Sequence, residues 1–360
     1  MSTALAQIRL HDLMRIARER DASDIHLALG EPPALRIDGA LTRLVSAPLE
    51  AFELDYFTAE LLAEGALGRL RECGDADGVV RDAELGTFRV HAFRAEGQIR
   101  FAVRLIGRTI PTLEALELPA ALHAFAERRA GLALFVGPTG SGKSTALAAL
   151  IDRINRTDAR HIVTVEDPVE YRHAPLRSSI AHRELGTDFS DYASAIRSAL
   201  RANPDVIAIG ELRDLATMRA ALSAAETGHL VLSTLHTSDA ASGVDRIVDA
   251  FEASARHEAR AILAQTLIGI ASLRLIPRER VAGRRAAVEI LIATDAVRAL
   301  IREGKTHQLR NAIVTGRNAG MQTLEAHLSD LVARGDVALE DARAAGDRPD
   351  DVRTFAGIAL

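Results

Sequence analysis

The chain has 360 residues, of which 48% are hydrophobic and 26% charged, a composition that is typical of globular proteins and excludes an intrinsically disordered chain. Its length suits two domains, and its net charge of −5 gives no electrostatic reason to expect a nucleic-acid partner. A single cysteine, Cys73, excludes an intramolecular disulfide framework, and no run approaches the roughly 20 apolar residues of a transmembrane segment, so we expect a cytoplasmic protein that is at most peripheral to a membrane.

The first part of the sequence, residues 1–106, predicts a small α+β domain. Apolar residues recur at helical spacing near the N-terminus, and a later hairpin should place Phe88 and Val90 on its apolar face and Arg89 and Arg104 on its polar face. The predicted elements are a helix over 5–20, strands within 22–27 and 32–39, a helical region over 50–72, and hairpin strands over 87–93 and 100–105. Residues 107–119, which contain two prolines, are the predicted linker.

The second domain, residues 120–360, opens with a predicted helix near 120–130 and then carries a glycine-rich loop. The loop fits G-x-x-x-x-G-K-[ST], in which glycines let backbone N–H groups approach phosphate oxygens. An apolar run precedes it and a helical pattern follows it, as a phosphate-binding loop requires. Lys143 is expected to contact the β- and γ-phosphates, and Ser144 a Mg²⁺ ion. The predicted nucleotide-binding residues are Gly137, Pro138, Thr139, Gly140, Ser141, Gly142, Lys143, Ser144 and Thr145.

Short apolar runs separated by helical patterns predict a mostly parallel sheet that is covered by helices on both faces, which is an α/β fold. The predicted strands are residues 132–136, 162–165, 206–209 and 230–235. From about residue 255 onward the pattern is nearly all helical, with interruptions at 278–280 and 288–292.

Each predicted strand is followed by residues that can bind phosphate or a metal ion or can take part in proton transfer. Because parallel strands present ligands at their carboxyl ends, we expect Glu166 and Glu211 to lie near the phosphate loop. Phosphate transfer needs a carboxylate for Mg²⁺, held directly or through water, and a group that orients the attacking water. The sequence leaves open which glutamate has which role, and a solvated strand end is the alternative for Glu166. We assign Glu211, with Ser144, to the magnesium ion and Glu166 to polarising the water.

Two histidines, His229 and His236, bracket the fourth predicted strand. One of them is a candidate sensor of the γ-phosphate, although a structural role is the alternative for a single histidine at such a position. A zinc site at His161, Asp167 and His173 is excluded, because their spacing fits no ligand pattern and no cysteine accompanies them.

Several further segments resemble the secretion-ATPase superfamily and, within it, the PilT/PilU-type retraction ATPases of type IV pili. The run ending in Glu166-Asp167-Pro168 resembles the family's Asp box, and Gly210-Glu211 lies where its Walker B motif ends. The resemblance covers nearly the whole chain. The similar segments are 22–27, 88–90, 161–170 (Asp box), 203–214 (Walker B), 227–237 (His box) and 320–324.

This resemblance implies a PAS-like N-terminal domain, a RecA-like ATPase core and a homo-hexameric ring that binds ATP and Mg²⁺. It also implies that arginines from the N-terminal domain reach a nucleotide, with Arg89 and Arg104 at the matching positions and Arg213 as a further candidate. The implied partners are an inner-membrane pilus platform protein and a paralogous pilus ATPase. The implied activity is ATP hydrolysis that powers pilus retraction and twitching motility.

Residues 295–305 resemble the C-terminal motif of the retraction ATPases but depart from it at Val297 and Ala299. Extension and type II secretion relatives usually carry a longer N-terminal region and a four-cysteine zinc module, which this sequence lacks. The alternatives are therefore an accessory, extension-type or secretion-type ATPase, and a regulatory subunit that hydrolyses little ATP. A RecA-type nucleic-acid motor is disfavoured by the acidic charge.

Overall fold

The computed structural model describes residues 2–37, 39–82, 84–106 and 110–353. The chain divides into two compact units, Met1–Thr109 and Ile110–Leu360. Within the described residues, no helix combines the length and the apolar character that crossing a bilayer would demand.

In its described residues, the first unit is an antiparallel sheet with the strand order β3-β2-β1-β6-β5-β4 and three helices. Its helices are α1 (Ser2–Glu19), α2 (Ala51–Leu61) and α3 (Glu64–Cys73), and its strands are β1 (Asp24–Ala28), β2 (Ala34–Ile37), β3 (Ala40–Arg43), β4 (Asp75–Asp82), β5 (Gly86–Ala95) and β6 (Gln98–Leu105). All three helices share one apolar core with alternate strand residues, including Phe88 and Val103. The predicted hairpin is confirmed as β5 and β6. The prediction missed β3, whose four residues are all exposed and show no apolar alternation.

The second unit is built on a seven-stranded sheet with the order β13-β12-β7-β11-β10-β8-β9, in which only β13 runs antiparallel to its neighbour. Its strands are β7 (Gly131–Val136), β8 (His161–Glu166), β9 (Ser179–Glu184), β10 (Val206–Ile209), β11 (Leu230–Leu235), β12 (Leu267–Pro277) and β13 (Arg284–Ile292). Its helices are α4 (His123–Glu127), α5 (Lys143–Thr157), α6 (Tyr192–Leu200), α7 (Leu215–Glu226), α8 (Ala240–Asp249), α9 (Arg256–Thr266), α10 (Asp295–Arg302), α11 (Leu309–Thr315), α12 (Leu324–Ala333) and α13 (Leu339–Ala345).

The four predicted apolar runs are the adjacent strands β7, β11, β10 and β8. Side chains alternate between two cores: Leu132 and Leu134 pack on one face of the sheet, and Ala133 and Phe135 on the other. Because helices cover both faces, every residue of β7 is buried. The continuous apolar runs seen in the sequence follow from this two-sided burial.

The prediction that the chain is nearly all helical after residue 255 was wrong. Strands β12 and β13 pair with each other over nine residues of each strand, and β12 also pairs with β7. A short apolar run such as Leu267–Leu273 fits a buried helix as well as a buried strand, and its pairing partner decides between them. Gly269 permits the close approach of the two strands, because a Cβ at this position would lie 2.6 Å from the carbonyl oxygen of Leu291.

Part of the predicted linker, residues 107–109, lies outside the described residues, and the remainder belongs to the second unit. Leu113 and Leu118 are buried in the same core as Phe125 and Phe135. Residues 110–119 are therefore held against the second unit by apolar packing.

Candidate functional site

The glycine-rich loop connects the end of β7 to the start of α5. Gly137, Gly140 and Gly142 have φ angles of 144°, 78° and 91°, in the region that favours glycine. A Cβ at Gly137 would also collide with the carbonyl oxygen of Leu273 and with Ser141 Oγ. Because α5 begins at Lys143, its unpaired N-terminal amides and the positive end of its dipole face this loop.

Lys143 is buried and folds back onto the loop. Its Nζ donates hydrogen bonds of 2.8 Å to the carbonyl oxygens of Gly137 and Pro138. Burial lowers the pKa of Lys143, whereas the nearby carboxylates of Glu211 and Glu170 act to raise it. The ammonium group is therefore held inside the loop by two backbone carbonyl oxygens.

Two further loop hydroxyls have contrasting surroundings. Ser141 is 3% exposed, and among the described residues its Oγ has no hydrogen-bond partner. Thr145 Oγ1 lies 2.9 Å from the hydroxyl of Tyr171. A buried hydroxyl without a partner is costly, so Ser141 fits a loop that receives a polar ligand.

Strand register brings the predicted carboxylates to the end of the sheet that carries the loop. Strand β10 pairs with β8 so that Ile209 lies opposite Val165, and β11 pairs with β7 so that Leu235 lies opposite Val136. The residues that follow these pairs, including Glu166, Glu211 and His236, therefore emerge at one edge of four adjacent strands. Neighbouring strands lie about 4.8 Å apart, so Glu211 and His236, which follow β10 and β11, lie in the crevice beside the phosphate loop. Glu166, which follows β8, lies at the same end of the sheet but three strands from β7.

Glu211 lies at the centre of the contacts in this crevice. Its carboxylate is 2.9 Å from Arg213 Nε and 3.3 Å from His236 Nε2. His236 Nδ1 lies 3.5 Å from Thr139 Oγ1 of the phosphate loop. His236 therefore links Glu211 to the phosphate loop.

A histidine that the sequence analysis did not select, His182, lies beside Glu166. His182 Nδ1 lies 3.7 Å from the Glu166 carboxylate and 3.0 Å from Thr164 Oγ1. His182 Nε2 accepts a hydrogen bond of 3.1 Å from the backbone N–H of His173. This bond leaves Nε2 unprotonated and places the ring proton on Nδ1, which lies within hydrogen-bond distance of Thr164 Oγ1.

Tyr192 is a second residue that the sequence analysis missed. Burial raises its pKa, and the carboxylates of Asp167, Glu166 and Glu211 raise it further. The tyrosine therefore faces the acidic side of the crevice as a neutral hydroxyl. Neither Tyr192 nor His182 belongs to a recognised motif, and only the packing of α6 and β9 brings them to this place.

The two predicted sensor histidines lie at opposite ends of β11. His229 precedes the strand, and its Nδ1 lies 3.1 Å from the carbonyl oxygen of Ala224 and 3.2 Å from Thr227 Oγ1. A strand rises about 3.3 Å per residue, so His229 lies roughly 20 Å from His236 and the phosphate loop. Of these two histidines, only His236 lies at the crevice.

Arg89 and Arg104, the other predicted arginines, lie in the first unit. They are directly paired across β5 and β6, and Arg104 Nε lies 2.9 Å from the Asp24 carboxylate. Asp24 is also paired with Arg36 of β2. Arg36, Asp24, Arg104 and Arg89 therefore lie side by side, in this order, across strands β2, β1, β6 and β5.

Among the described residues, no group of three or more His, Cys, Asp or Glu side chains is arranged to hold a metal ion. His173, which the rejected zinc site would have used, instead stacks on His182 with ring centroids 5.6 Å apart. The oxygens of Ser144 and Glu211 still suit Mg²⁺, because this ion is usually held by one or two protein ligands together with phosphate oxygens and water.

Comparisons with known proteins agree with this architecture. The Type IV pilus retractation ATPase PilT of Pseudomonas aeruginosa is 40% identical over 340 residues, which cover 94% of this chain and 98% of PilT. The Type IV pilus ATPase PilU of the same organism is 35% identical over 341 residues, covering 95% of this chain and 89% of PilU. A crystal structure of the pilus retraction motor PilT with bound ADP superposes with a TM-score of 0.85 at 39% identity and covers 94% of this chain and 97% of that chain.

The predicted fold class, a RecA-like P-loop core with an N-terminal PAS-like α+β domain, is confirmed by this structural similarity. A family described as type II/IV secretion system protein matches residues 3–344. On the strength of that match, and of relatives that align over nearly its full length, the chain belongs to the type II/IV secretion system protein family.

Proposed function

We propose that the protein is a Mg²⁺-dependent ATPase motor that powers retraction of type IV pili. The observation that carries this proposal is the convergence of the phosphate loop, Glu166, Glu211 and His236 at the carboxyl ends of four adjacent strands. The names of its relatives support the retraction role, since PilT is described as a pilus retraction motor and was crystallised with ADP.

In this proposal the phosphate loop binds the triphosphate through its backbone amides and Lys143. Ser144 and Glu211 would hold Mg²⁺, directly or through water, and this ion would neutralise charge that develops on the phosphates during hydrolysis. Glu166, which lies 3.7 Å from His182, would accept a hydrogen bond from the attacking water.

His236 is the proposed γ-phosphate sensor. It lies between Glu211 and Thr139, so the arrival or loss of a terminal phosphate changes the charge beside its ring. Arg213, which bonds to Glu211 and lies 3.9 Å from Asp167, would gain a phosphate partner in the same region. These contacts would bias a two-state motion between the units, with residues 110–119 moving together with the second unit.

The proposed assembly is a homo-hexameric ring, located in the cytoplasm at the inner membrane, that passes its motion to a membrane-embedded platform protein of the pilus. The N-terminal arginines Arg89 and Arg104 would complete a nucleotide site. A paralogous pilus ATPase is a further proposed partner, since relatives named PilT and PilU both align with this chain.

The test is complementation of a deletion strain with the wild-type chain or Lys143→Ala. Loss of Lys143 removes the ammonium that faces the phosphates, so ATP hydrolysis by the purified variant should fall by a factor of about 10² or more. The chain has two lysines, and Lys305→Ala is the control for hydrolysis because Lys305 is exposed and pairs with Glu303.

The deletion strain should lose twitching and accumulate surface pili, and only the wild-type gene should restore movement. Bald cells would instead indicate an extension ATPase, and normal twitching an accessory role. Hydrolysis by Lys143→Ala at the wild-type rate would contradict the assignment of the site.

A further inference from the structure

Two buried polar side chains of the neighbouring strands β12 and β13 hold the loop that follows β11. Ser272 and Glu289 are 2% and 4% exposed and lie directly opposite each other in the strand pairing. Ser272 Oγ donates a hydrogen bond of 2.8 Å to the carbonyl oxygen of Ser238. Glu289 Oε1 accepts a hydrogen bond of 2.9 Å from the backbone N–H of Ala240. Both bonds end on the backbone, two residues apart.

Burying the Glu289 carboxyl group in the core costs folding free energy. Glu289 lies between Val288 and Ile290, both fully buried, where an apolar residue would need no polar partner. Burial raises the pKa of Glu289 to about 7; Asp239 and Glu325 also raise it, while the Ala240 bond and Arg310 lower it. A carboxyl group in these surroundings suggests a role other than stabilising the fold.

The helix that follows the loop has its own cap and does not depend on Glu289 for it. Asp239 Oδ1 accepts from the N–H of Ser242, and Asp239 Oδ2 accepts from the Ser242 hydroxyl. Glu289 instead receives the N–H of Ala240, the first residue of α8. The bonds from Ser272 and Glu289 therefore add a fixed link between this loop and the β12–β13 pair.

The loop held in this way carries His236, which lies 3.3 Å from Glu211 and 3.5 Å from Thr139. The same part of β12 also meets the phosphate loop, because a Cβ at Gly137 would collide with the carbonyl oxygen of Leu273. Ser272 therefore contacts the loop after β11, and Leu273 contacts the phosphate loop. His236 lies between these two loops.

We propose that Ser272 and Glu289 are positioning residues that fix His236 between Glu211 and the phosphate loop during ATP hydrolysis. The inference rests on the proposed function of this crevice and deepens it. Strands β12 and β13 then fix the distance between the phosphate loop and the loop after β11 that carries His236. In this proposal Ser272 and Glu289 do not touch the nucleotide.

The test is a double-mutant cycle on the turnover number for ATP with the full-length protein. Glu289→Gln should keep kcat within about twofold, because an amide oxygen still accepts the Ala240 hydrogen bond. Glu289→Leu and Ser272→Ala should each lower kcat about tenfold or less, the size expected for one lost buried hydrogen bond, with little change in KM for ATP. In a His236→Ala background, the same two substitutions should have no further effect on kcat.

Ser329→Ala is the matched control, because Ser329 is also a buried serine of the second unit that bonds to backbone, through the carbonyl oxygen of Glu325. It should leave kcat unchanged in both backgrounds. If Glu289→Leu does not fold, the Ser272→Ala cycle decides the question by itself.

Equal, additive losses in the wild-type and His236→Ala backgrounds would overturn the positioning role while leaving the ATPase assignment intact. A His236→Ala variant with normal kcat would overturn the inference together with the sensor role of His236. A wild-type protein that hydrolyses no ATP would overturn the proposed function itself.

Discussion

Lys143 shows how strongly a single position can be constrained. The chain has 44 lysines and arginines together, of which only Lys143 and Lys305 are lysines. At position 143 the compact ammonium donates to two loop carbonyls within a buried space. A planar guanidinium is larger and presents a fixed fork of donors, so arginine is not an equivalent residue there.

The two glutamates of the crevice should have separable effects on hydrolysis. Glu211→Gln should raise the Mg²⁺ concentration needed for half-maximal activity, because it removes the charge proposed to hold the ion. Glu166→Gln should lower kcat by about 10²-fold or more with an unchanged Mg²⁺ dependence, because it weakens the proposed acceptor for the attacking water. Magnesium titrations of steady-state phosphate release measure both effects.

Glu184 gives a control for these variants, since it is a buried carboxylate that lies opposite Glu166 in the strand pairing and accepts from the N–H of Val169. Glu184→Gln should leave the Mg²⁺ dependence unchanged. If instead Glu166→Gln shifted the Mg²⁺ requirement and Glu211→Gln did not, the two proposed roles would have to be exchanged.

His327 should make the stability of the protein fall under mildly acidic conditions. Burial, with Arg285 and Arg334 nearby, lowers its pKa from 6.5 to about 4, and its Nδ1 accepts from the N–H of Val288. Below pH 6.5 the unfolded chain binds a proton that the folded chain does not, so folding free energy is lost as the pH falls toward 4. Above pH 6.5 this histidine contributes no pH dependence.

His327→Asn tests this expectation, because Asn Oδ1 can take the place of Nδ1 and carries no proton at either pH. The loss of unfolding free energy between pH 7.5 and 5.0 should shrink by about 2 kcal/mol in the variant. Urea unfolding at the two pH values measures it. His173, whose pKa is also lowered to about 4, and Glu289 contribute equally to the pH dependence of the wild type and of the variant. An unchanged pH dependence in His327→Asn would therefore contradict the assignment to His327.

Among the elements, β12 shows how packing overrides a local pattern. Its apolar run was predicted as helix, whereas pairing with β7 and β13 makes it a central strand. Gly269 allows this pairing, since a Cβ there would meet both Leu291 and the ring of Phe125 within 2.7 Å. The sheet is therefore extended by a close backbone approach that only glycine permits.

Gly269→Ala should destabilise the second unit by about 1–3 kcal/mol, because the added methyl group overpacks a closed site. The matched control is Gly68→Ala in α3, where an added Cβ would meet no atom within 4 Å. The control should be neutral or stabilising by about 1 kcal/mol, because alanine favours helix over glycine. Thermal unfolding followed by circular dichroism measures both, and an unaltered midpoint in Gly269→Ala would show that the strands can separate at little cost.

For the whole molecule, the question is which subunit provides the arginines of the first unit. We expect Arg104 to act on the nucleotide of a neighbouring subunit in the proposed ring. Arg104→Ala rings and Lys143→Ala rings should each be inactive. Random mixed rings should regain about a quarter of the wild-type rate, because that share of sites combines an intact lysine with an intact arginine from the neighbour.

Phosphate release from co-assembled rings measures this recovery. Arg36→Ala is the control, since Arg36 faces the same Asp24 at 3.8 Å and lies in the same row of the sheet. Rings made only of Arg36→Ala subunits should hydrolyse ATP at the wild-type rate. If mixed rings of the two inactive variants stayed inactive, Arg104 would not act in trans.

The sequence by itself determined the phosphate loop, the four central strands, and the positions of Glu166, Glu211 and His236 at strand ends. These features are local: a glycine spacing, a continuous apolar run and the residue that follows it carry their own physical meaning. The placement of the remaining residues was decided by tertiary structure alone. His182 and Tyr192 reach the crevice, Ser272 and Glu289 reach the loop that follows β11, and His229 lies away from both. The packing of α6 and the pairing and direction of strands distant in sequence set which side chains meet.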